Sequence, residues 1–142
     1  MSEYHDITKP WHYNWHPSGV ECKEICDDLP RWIGDAISYI WRRNHKGQPL
    51  DDRRKALERL NECTPIRGDM VFHIMQQESV GSLWLDKARK VMDSQDDRAI
   101  DLAVEFAYAM SKGMWCAWAK CTLIALKNYL ENEIKELEKG NN

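Results

Sequence analysis

The fold is decided by the stretch Trp32-Ile33-Gly34-Asp35-Ala36-Ile37-Ser38-Tyr39-Ile40-Trp41-Arg42-Arg43. Its large apolar residues recur at steps of three and four, which is the spacing of one face of an α-helix. The polar residues fall on the flanks of that face. We therefore predict an amphipathic helix with a basic end, followed by a basic, glycine-containing loop at 44–49.

The segments on either side have the same period. Apolar residues between 20 and 29 predict a short first helix that Pro30 ends. A third helix is predicted to begin near Asp51 and Asp52, because carboxylates suit the positive end of a helix dipole, and to end before Pro65.

The second half of the chain is predicted to be helical as well. We expect a short helix at 69–77 and another from residue 79 or 82 to about residue 93. The last fifty residues contain no proline, so they predict either one long helix or two helices broken near Gly113. The charged segment 131–139 is expected to be a solvated helix end.

No segment alternates apolar and polar residues with the β-branched bias of a strand. The fold class is therefore all-α: a compact helical bundle with an aromatic-rich N-terminal arm at 1–19 and a long C-terminal helix or helix pair. At 142 residues the chain is expected to form a single domain, residues 1–142.

The composition excludes some classes of function. Charged residues make up 30% of the chain and the net charge is −3, so general nucleic-acid binding is not expected. The longest apolar stretch, 114–126, is interrupted by Lys120 and is too short to span a membrane. Five cysteines, an odd number, and no secretory leader favour reduced thiols in a cytoplasm.

Candidate ligand-binding residues cluster in the first half of the chain. Arg42 and Lys46, one turn apart, could bind phosphate oxygens, or they could be a solvated helix end. His12 could bond a ligand or transfer a proton, or it could hold the arm in place. Together the candidates are His12, Glu21 and Arg42 as catalytic residues, and Tyr13, Tyr39, Lys46 and Lys55 as ligand-binding residues.

The sequence suggests one hypothesis for metal binding, which is a magnesium site. Glu21 and Glu24 lie on one helical face, and paired carboxylates hold Mg²⁺ in all-α pyrophosphohydrolases of the MazG type. The second acidic motif of that class, Glu-x-x-Asp on a facing helix, is not clearly matched in this chain. The alternative is that Glu21 and Glu24 are solvated carboxylates. Zinc is not expected, because Cys22 and Cys26 share an apolar face.

Several short motifs occur together in a known order. They are Lys9-Pro10-Trp11-His12-Tyr13, Val20-Glu21, Gly34-Asp35 with Tyr39 and Arg42, and Asp52-Arg53-Arg54-Lys55-Ala56. This set, at residues 8–62, resembles the SaV-like family of small phage proteins, a module also found in phage nucleotide kinases that lack a P-loop. The chain departs from the family pattern at Asp35, Ser38 and Arg53, where the pattern has Asn, Lys and Leu.

The resemblance implies a phage protein that handles nucleotides in the cytoplasm of the infected bacterial host. If the protein is catalytic, it implies phosphoryl transfer to a nucleoside monophosphate, with Mg²⁺ as a cofactor. Residues 65–142 would be a helical extension packed on the module.

Other functions remain open. One is a non-enzymatic anti-defence protein that sequesters a nucleotide-derived signal. Another is a helical adaptor that inhibits a host protein, and a third is a MazG-like pyrophosphohydrolase. The helix around Trp115 and Trp118 could be a dimerisation surface or a second layer of the core, and we expect a homo-oligomer.

Overall fold

The computed structural model describes residues 15–63, 82–112 and 117–140, and these residues form six α-helices and no strand. The helices are α1 (Cys22–Cys26), α2 (Arg31–Arg42), α3 (Pro49–Asn61), α4 (Ser82–Ser94), α5 (Arg98–Lys112) and α6 (Ala117–Gly140). The all-α prediction is confirmed. The helix predicted at 69–77 and most of the aromatic arm lie outside the described residues.

The predicted amphipathic helix is confirmed as α2. Its buried residues are Gly34 and five apolar residues of the predicted stripe, Ile33, Ala36, Ile37, Ile40 and Trp41. Helix α3 starts two residues before Asp51, at Pro49, whose missing N–H and fixed φ suit a first helical position. Helix α1 is shorter than predicted, because only Cys22–Cys26 is helical.

Helix α5 lies at the centre of the described bundle. Apolar residues are buried around most of its circumference, among them Ile100, Val104, Phe106 and Met110. It packs against α2, α4 and α6, while α3 packs on both α2 and α6. The second half of the described chain therefore packs on the first half around a shared apolar core.

Beyond α4, the described part of the last fifty residues forms two helices, α5 and α6, which is the second of the two predicted alternatives. The two helices pack against each other, and a single straight helix could not do this. Across the described residues, no helix is both long enough and apolar enough to cross a lipid bilayer.

Close contact between α1 and α2 depends on a glycine. A Cβ atom added to Gly34 would lie 3.1 Å from the backbone oxygen of Cys26. The thiols of Cys22 and Cys26 lie 3.6 Å apart on the same side of α1 and contact the hydroxyl of Ser38 in α2. The bond with Cys26, together with burial, raises the pKa of the Cys22 thiol far above its usual range, so this thiol stays protonated.

Candidate functional site

A cluster of charged residues surrounds Tyr39 on the face shared by α2 and α3. The guanidinium carbon of Arg42 lies 4.6 Å from the centre of the Tyr39 ring, and Nζ of Lys55 lies 5.8 Å from it. The structure thus brings together three of the predicted site residues. We call Tyr39, Arg42, Lys55, Asp51 and Asp52 the Tyr39 cluster.

Both cations of the Tyr39 cluster have carboxylate partners. Arg42 Nε donates to Asp52 Oδ1 over 3.2 Å, and Asp52 is fully buried. Lys55 Nζ lies 3.0 Å from Asp51 Oδ2, and about half of each of these side chains is exposed. The Arg42 pair is shielded from water and persists, whereas the exposed Lys55 pair is weak and can exchange for another anion.

A groove lies about one helical turn from the Tyr39 cluster, between the same two helices. It has a volume of about 370 Å³ and is lined by Arg31, Trp32, Asp35, Arg59 and Glu62. Asp35 precedes Tyr39 by one helical turn and Arg59 follows Lys55 by one turn, so the groove and the cluster share a face. A volume of this size lies near the lower limit for a small-molecule pocket.

Charges in the groove are balanced but exposed. Arg59 Nη1 lies 3.1 Å from Glu62 Oε1, and Arg59 Nε lies 3.9 Å from Asp35 Oδ2. The hydrogen bond from Arg59 to Glu62 raises the pKa of the guanidinium, and Asp35 and Tyr39 add to the effect. Sequence analysis did not select Trp32 or Arg59, although the i, i+4 spacing of Lys55 and Arg59 was visible.

The other predicted site residues lie outside the Tyr39 cluster, and the two candidate metal ligands, Glu21 and Glu24, take part in capping α1. Glu24 Oε2 accepts the backbone N–H of Glu21 over 2.8 Å, which caps α1, and Glu24 Oε1 lies 3.4 Å from Nζ of Lys87. The bond from the Glu21 N–H lowers the pKa of Glu24. Both oxygens of Glu24 are therefore engaged by protein groups, which does not suit a metal ligand.

Lys46 lies in the turn after α2 and is exposed. His12 and Tyr13 lie outside the described residues, so their predicted roles stay predictions. Within the part of the chain that the structure describes, no group of three or more His, Cys, Asp or Glu side chains is arranged to hold a metal ion.

The arginine next to Arg42 was predicted to lie on a helix flank, but it is buried. Arg43 is 3% exposed and donates from Nη1 and Nη2 to the two oxygens of Asp97, over 2.9 Å each. Arg43 Nε and Arg53 Nε both donate to Glu133 Oε1, over 3.0 and 2.9 Å. We call Arg43, Arg53, Asp97 and Glu133 the buried ionic network.

The buried ionic network adds one exception to a prediction about α6. Segment 131–139 was expected to be a solvated helix end, and most of its residues are exposed, but Glu133 near its start is largely covered and binds two arginines. Burial lowers the pKa of Arg43, but the bonds and charges of Asp97 and Glu133 outweigh it and raise the pKa overall. The network joins α2, α3, α5 and α6, so it is a structural element and not an open site.

The described end of the N-terminal arm packs on the last turn of α2. Trp15 Nε1 donates to the carbonyl oxygen of Trp41 over 3.2 Å, and the rings of Trp15 and His45 lie 4.1 Å apart. His16 is 3% exposed and its ring lies 5.1 Å from that of Trp41. These contacts hold the described end of the arm against α2 and the turn that follows it.

Comparison of the chain with protein-family models, with curated proteins and with solved structures found no match. The geometry of the described residues is therefore the basis for a functional proposal.

Proposed function

We propose that the protein binds a nucleotide along the face shared by α2 and α3. The proposal is carried by the position of the 370 Å³ groove beside Trp32, about one helical turn from the Tyr39 cluster, where Arg42 and Lys55 lie over one aromatic ring. A base would occupy the groove, and its phosphates would extend one helical turn toward the two cations.

Charge balance sets a condition on this ligand. The Tyr39 cluster contains two cations and two carboxylates, so it has no net charge with which to attract a free anion. A phosphate would take the place of Asp51 at Lys55, where the exposed pair is weak. The released Asp51 carboxylate would then meet the water shell of a Mg²⁺ ion bound to the phosphates, since Mg²⁺ favours a carboxylate together with phosphate oxygens.

The resemblance to the SaV-like family supports the same proposal, because Tyr39, Arg42, Asp52 and Lys55 all belong to its motifs. In the described residues these four come from two separate helices and lie in one cluster. Phosphoryl transfer to a nucleoside monophosphate is the catalytic form of the proposal, and sequestration of a nucleotide-derived signal is the binding form.

Isothermal titration with AMP and ATP, with and without Mg²⁺, tests binding. The variants Lys55→Glu and Arg59→Glu should weaken binding about ten-fold or more, because the first reverses a charge at the proposed phosphate position and the second alters the wall of the groove that would hold the base. Lys90→Glu is the matched control, since Lys90 is exposed on α4, outside the groove. Equal affinities in all three variants would contradict the proposed site.

Chromatography of the ligand after incubation separates the two forms of the proposal. Magnesium-dependent conversion of the nucleotides, lost in Lys55→Glu, would support phosphoryl transfer. Recovery of unchanged ligand in a stoichiometric amount would support sequestration. Absence of binding to any nucleotide would refute both forms.

A further inference from the structure

The first half of α6 presents apolar side chains to solvent. Ile124 is 59% exposed and Trp118 is 44% exposed. Ala117, Cys121 and Ala125 are exposed too, each four residues from the next, so they follow one side of the helix. The opposite side of α6, with Leu123, Leu126 and Leu130, is buried in the core. Helix α6 therefore has a second apolar stripe that the described residues leave uncovered.

Cations line both edges of this stripe. Lys120 and Lys127 are seven residues apart and thus lie on one edge, and no described carboxylate lies within 4 Å of either ammonium group. At the other edge, Trp118 packs edge-on against Tyr108 of α5, with ring centres 6.0 Å apart.

Tyr108 brings two further cations to the edge beside Trp118. Its hydroxyl oxygen accepts from Arg89 of α4 over 2.8 Å, and Nζ of Lys112 lies 5.2 Å from its ring centre. The surface formed by the stripe and these edges is called the α6 basic surface; its residues are Arg89, Tyr108, Lys112, Trp118, Lys120, Cys121, Ile124 and Lys127.

The amino-acid sequence sets this surface apart from the rest of the molecule. Residues 106–130 contain three lysines and no aspartate or glutamate, although the whole chain has 23 acidic residues and a net charge of −3. Among the described residues, the one ion pair of a surface cation is that of Arg89 with Asp86, at 3.6 Å, and the charge of Asp93 also raises the pKa of Arg89. The second half of α6 has the opposite character, with Glu131, Glu133, Glu136 and Glu138.

We propose that the α6 basic surface docks an acidic amphipathic helix of a partner protein. An apolar stripe between two basic edges complements a helix whose apolar face is flanked by carboxylates. A second copy of the chain is a poorer occupant, because two such surfaces would place lysines against lysines. The proposal concerns a different face from the α2 and α3 groove, so it goes beyond the proposed nucleotide site.

Two synthetic helical peptides of about 18 residues test the charge requirement. Both have leucine and alanine along one face, and the flanks are glutamate in the first peptide and lysine in the second. Fluorescence anisotropy with the full chain should show binding of the glutamate peptide about ten-fold or more tighter than that of the lysine peptide, weakening as salt rises.

Matched variants locate the binding surface. Lys120→Glu combined with Lys127→Glu should reduce the affinity for the glutamate peptide about ten-fold, whereas Lys23→Glu combined with Lys46→Glu, at exposed positions away from α6, should leave it unchanged. Ile124→Gln, a change at an exposed position, should also weaken binding about three-fold or more without lowering the melting temperature.

Other results would overturn the proposal. These are binding of neither peptide, equal binding of both peptides, or equal loss of binding in the two double variants. A single-stranded oligonucleotide or an anionic phosphatidylserine vesicle that binds while the glutamate peptide does not would assign the surface to another class of partner. A dimer in sedimentation that Ile124→Gln dissociates would assign it to a second copy of the chain.

Discussion

Arg43 holds Asp97 by two parallel hydrogen bonds of 2.9 Å, and the two residues are 54 positions apart in the chain. Asp97 also accepts the backbone N–H groups of Ala99 and Ile100, so it caps the first turn of α5. The end of α2 is thereby fixed to the start of the central helix. Glu133 bonds the same arginine and extends the connection to α6.

Replacing Arg43 should be strongly destabilising. Arg43→Met leaves the carboxylates of Asp97 and Glu133 without one of their partners in a largely buried place, which we expect to cost about 3–5 kcal/mol of unfolding free energy. Urea denaturation measures the loss. Arg54→Met is the control, because its pair with Glu138 at 3.7 Å is more than half exposed and should contribute less than about 0.5 kcal/mol. Similar losses in both variants would contradict the structural role of the network.

Gly34 should be required for the contact between α1 and α2. A valine there would place its Cβ 3.1 Å from the oxygen of Cys26, and its two methyl groups would need further room. We expect Gly34→Val to cost about 2 kcal/mol or more through this overpacking. Gly140→Val, where a Cβ would have no atom within 4 Å, should change the melting temperature little. An unchanged melting temperature for Gly34→Val would show that the two helices are farther apart than described.

Burial of His16 should make stability depend on pH. Ser18 donates its backbone N–H to His16 Nδ1 over 3.1 Å, so the neutral ring accepts at this nitrogen. Burial lowers the pKa of His16 below 6.5, and Asp96 and Asp97 offset only part of the effect. The unfolded state then binds more protons than the folded state just below pH 6.5, so the unfolding free energy should fall as pH falls through this window.

The titration of His16 can be followed directly by NMR of its ring protons. We expect a pKa below 6.5 and, in His16→Gln, a flatter dependence of unfolding free energy on pH in the same window. His45, whose pKa burial also lowers, keeps a residual slope in that variant. A pKa of His16 at or above 6.5 would contradict the described burial.

Asp101 should make the unfolding free energy fall as pH rises, which is the opposite of the dependence expected from His16. Burial, with the charge of Asp97, raises its pKa from 3.8 to about 6, and its Oδ1 is a buried acceptor without a described hydrogen-bond donor. The folded state binds the extra proton between these values, so this contribution to stability is lost as pH rises through about 6.

Asp101→Asn should therefore stabilise the protein at pH 7 and have little effect near pH 4. Because water partly screens this carboxyl group, we expect a gain of only about 0.5–1 kcal/mol. Urea denaturation at the two pH values measures it. A variant that is less stable than the parent at pH 7 would show that the aspartate carboxylate has a favourable partner.

Part of the candidate site was predictable. Tyr39, Arg42 and Lys55 were selected from local motifs, and the structure brings them together. Trp32 and Arg59 were not selected, because they belong to a common site only when α3 packs beside α2 and the two side chains line the groove between the helices. Arg43 was predicted to lie on a flank because helical spacing shows only where a residue lies relative to the apolar stripe of its own helix. The carboxylates that bind it belong to Asp97 and Glu133, at the start of α5 and in α6.

Helical periodicity was enough to establish the all-α class and the position of α2, since the spacing of apolar residues is a local property of the chain. The partners of the charged residues depended on packing. Asp52, Arg53, Asp97 and Glu133 look like ordinary solvated charges in the primary structure, yet each is mostly or fully covered in the folded chain. Only the arrangement of the helices decides which opposite charges meet away from water, because burial is a property of the assembled bundle.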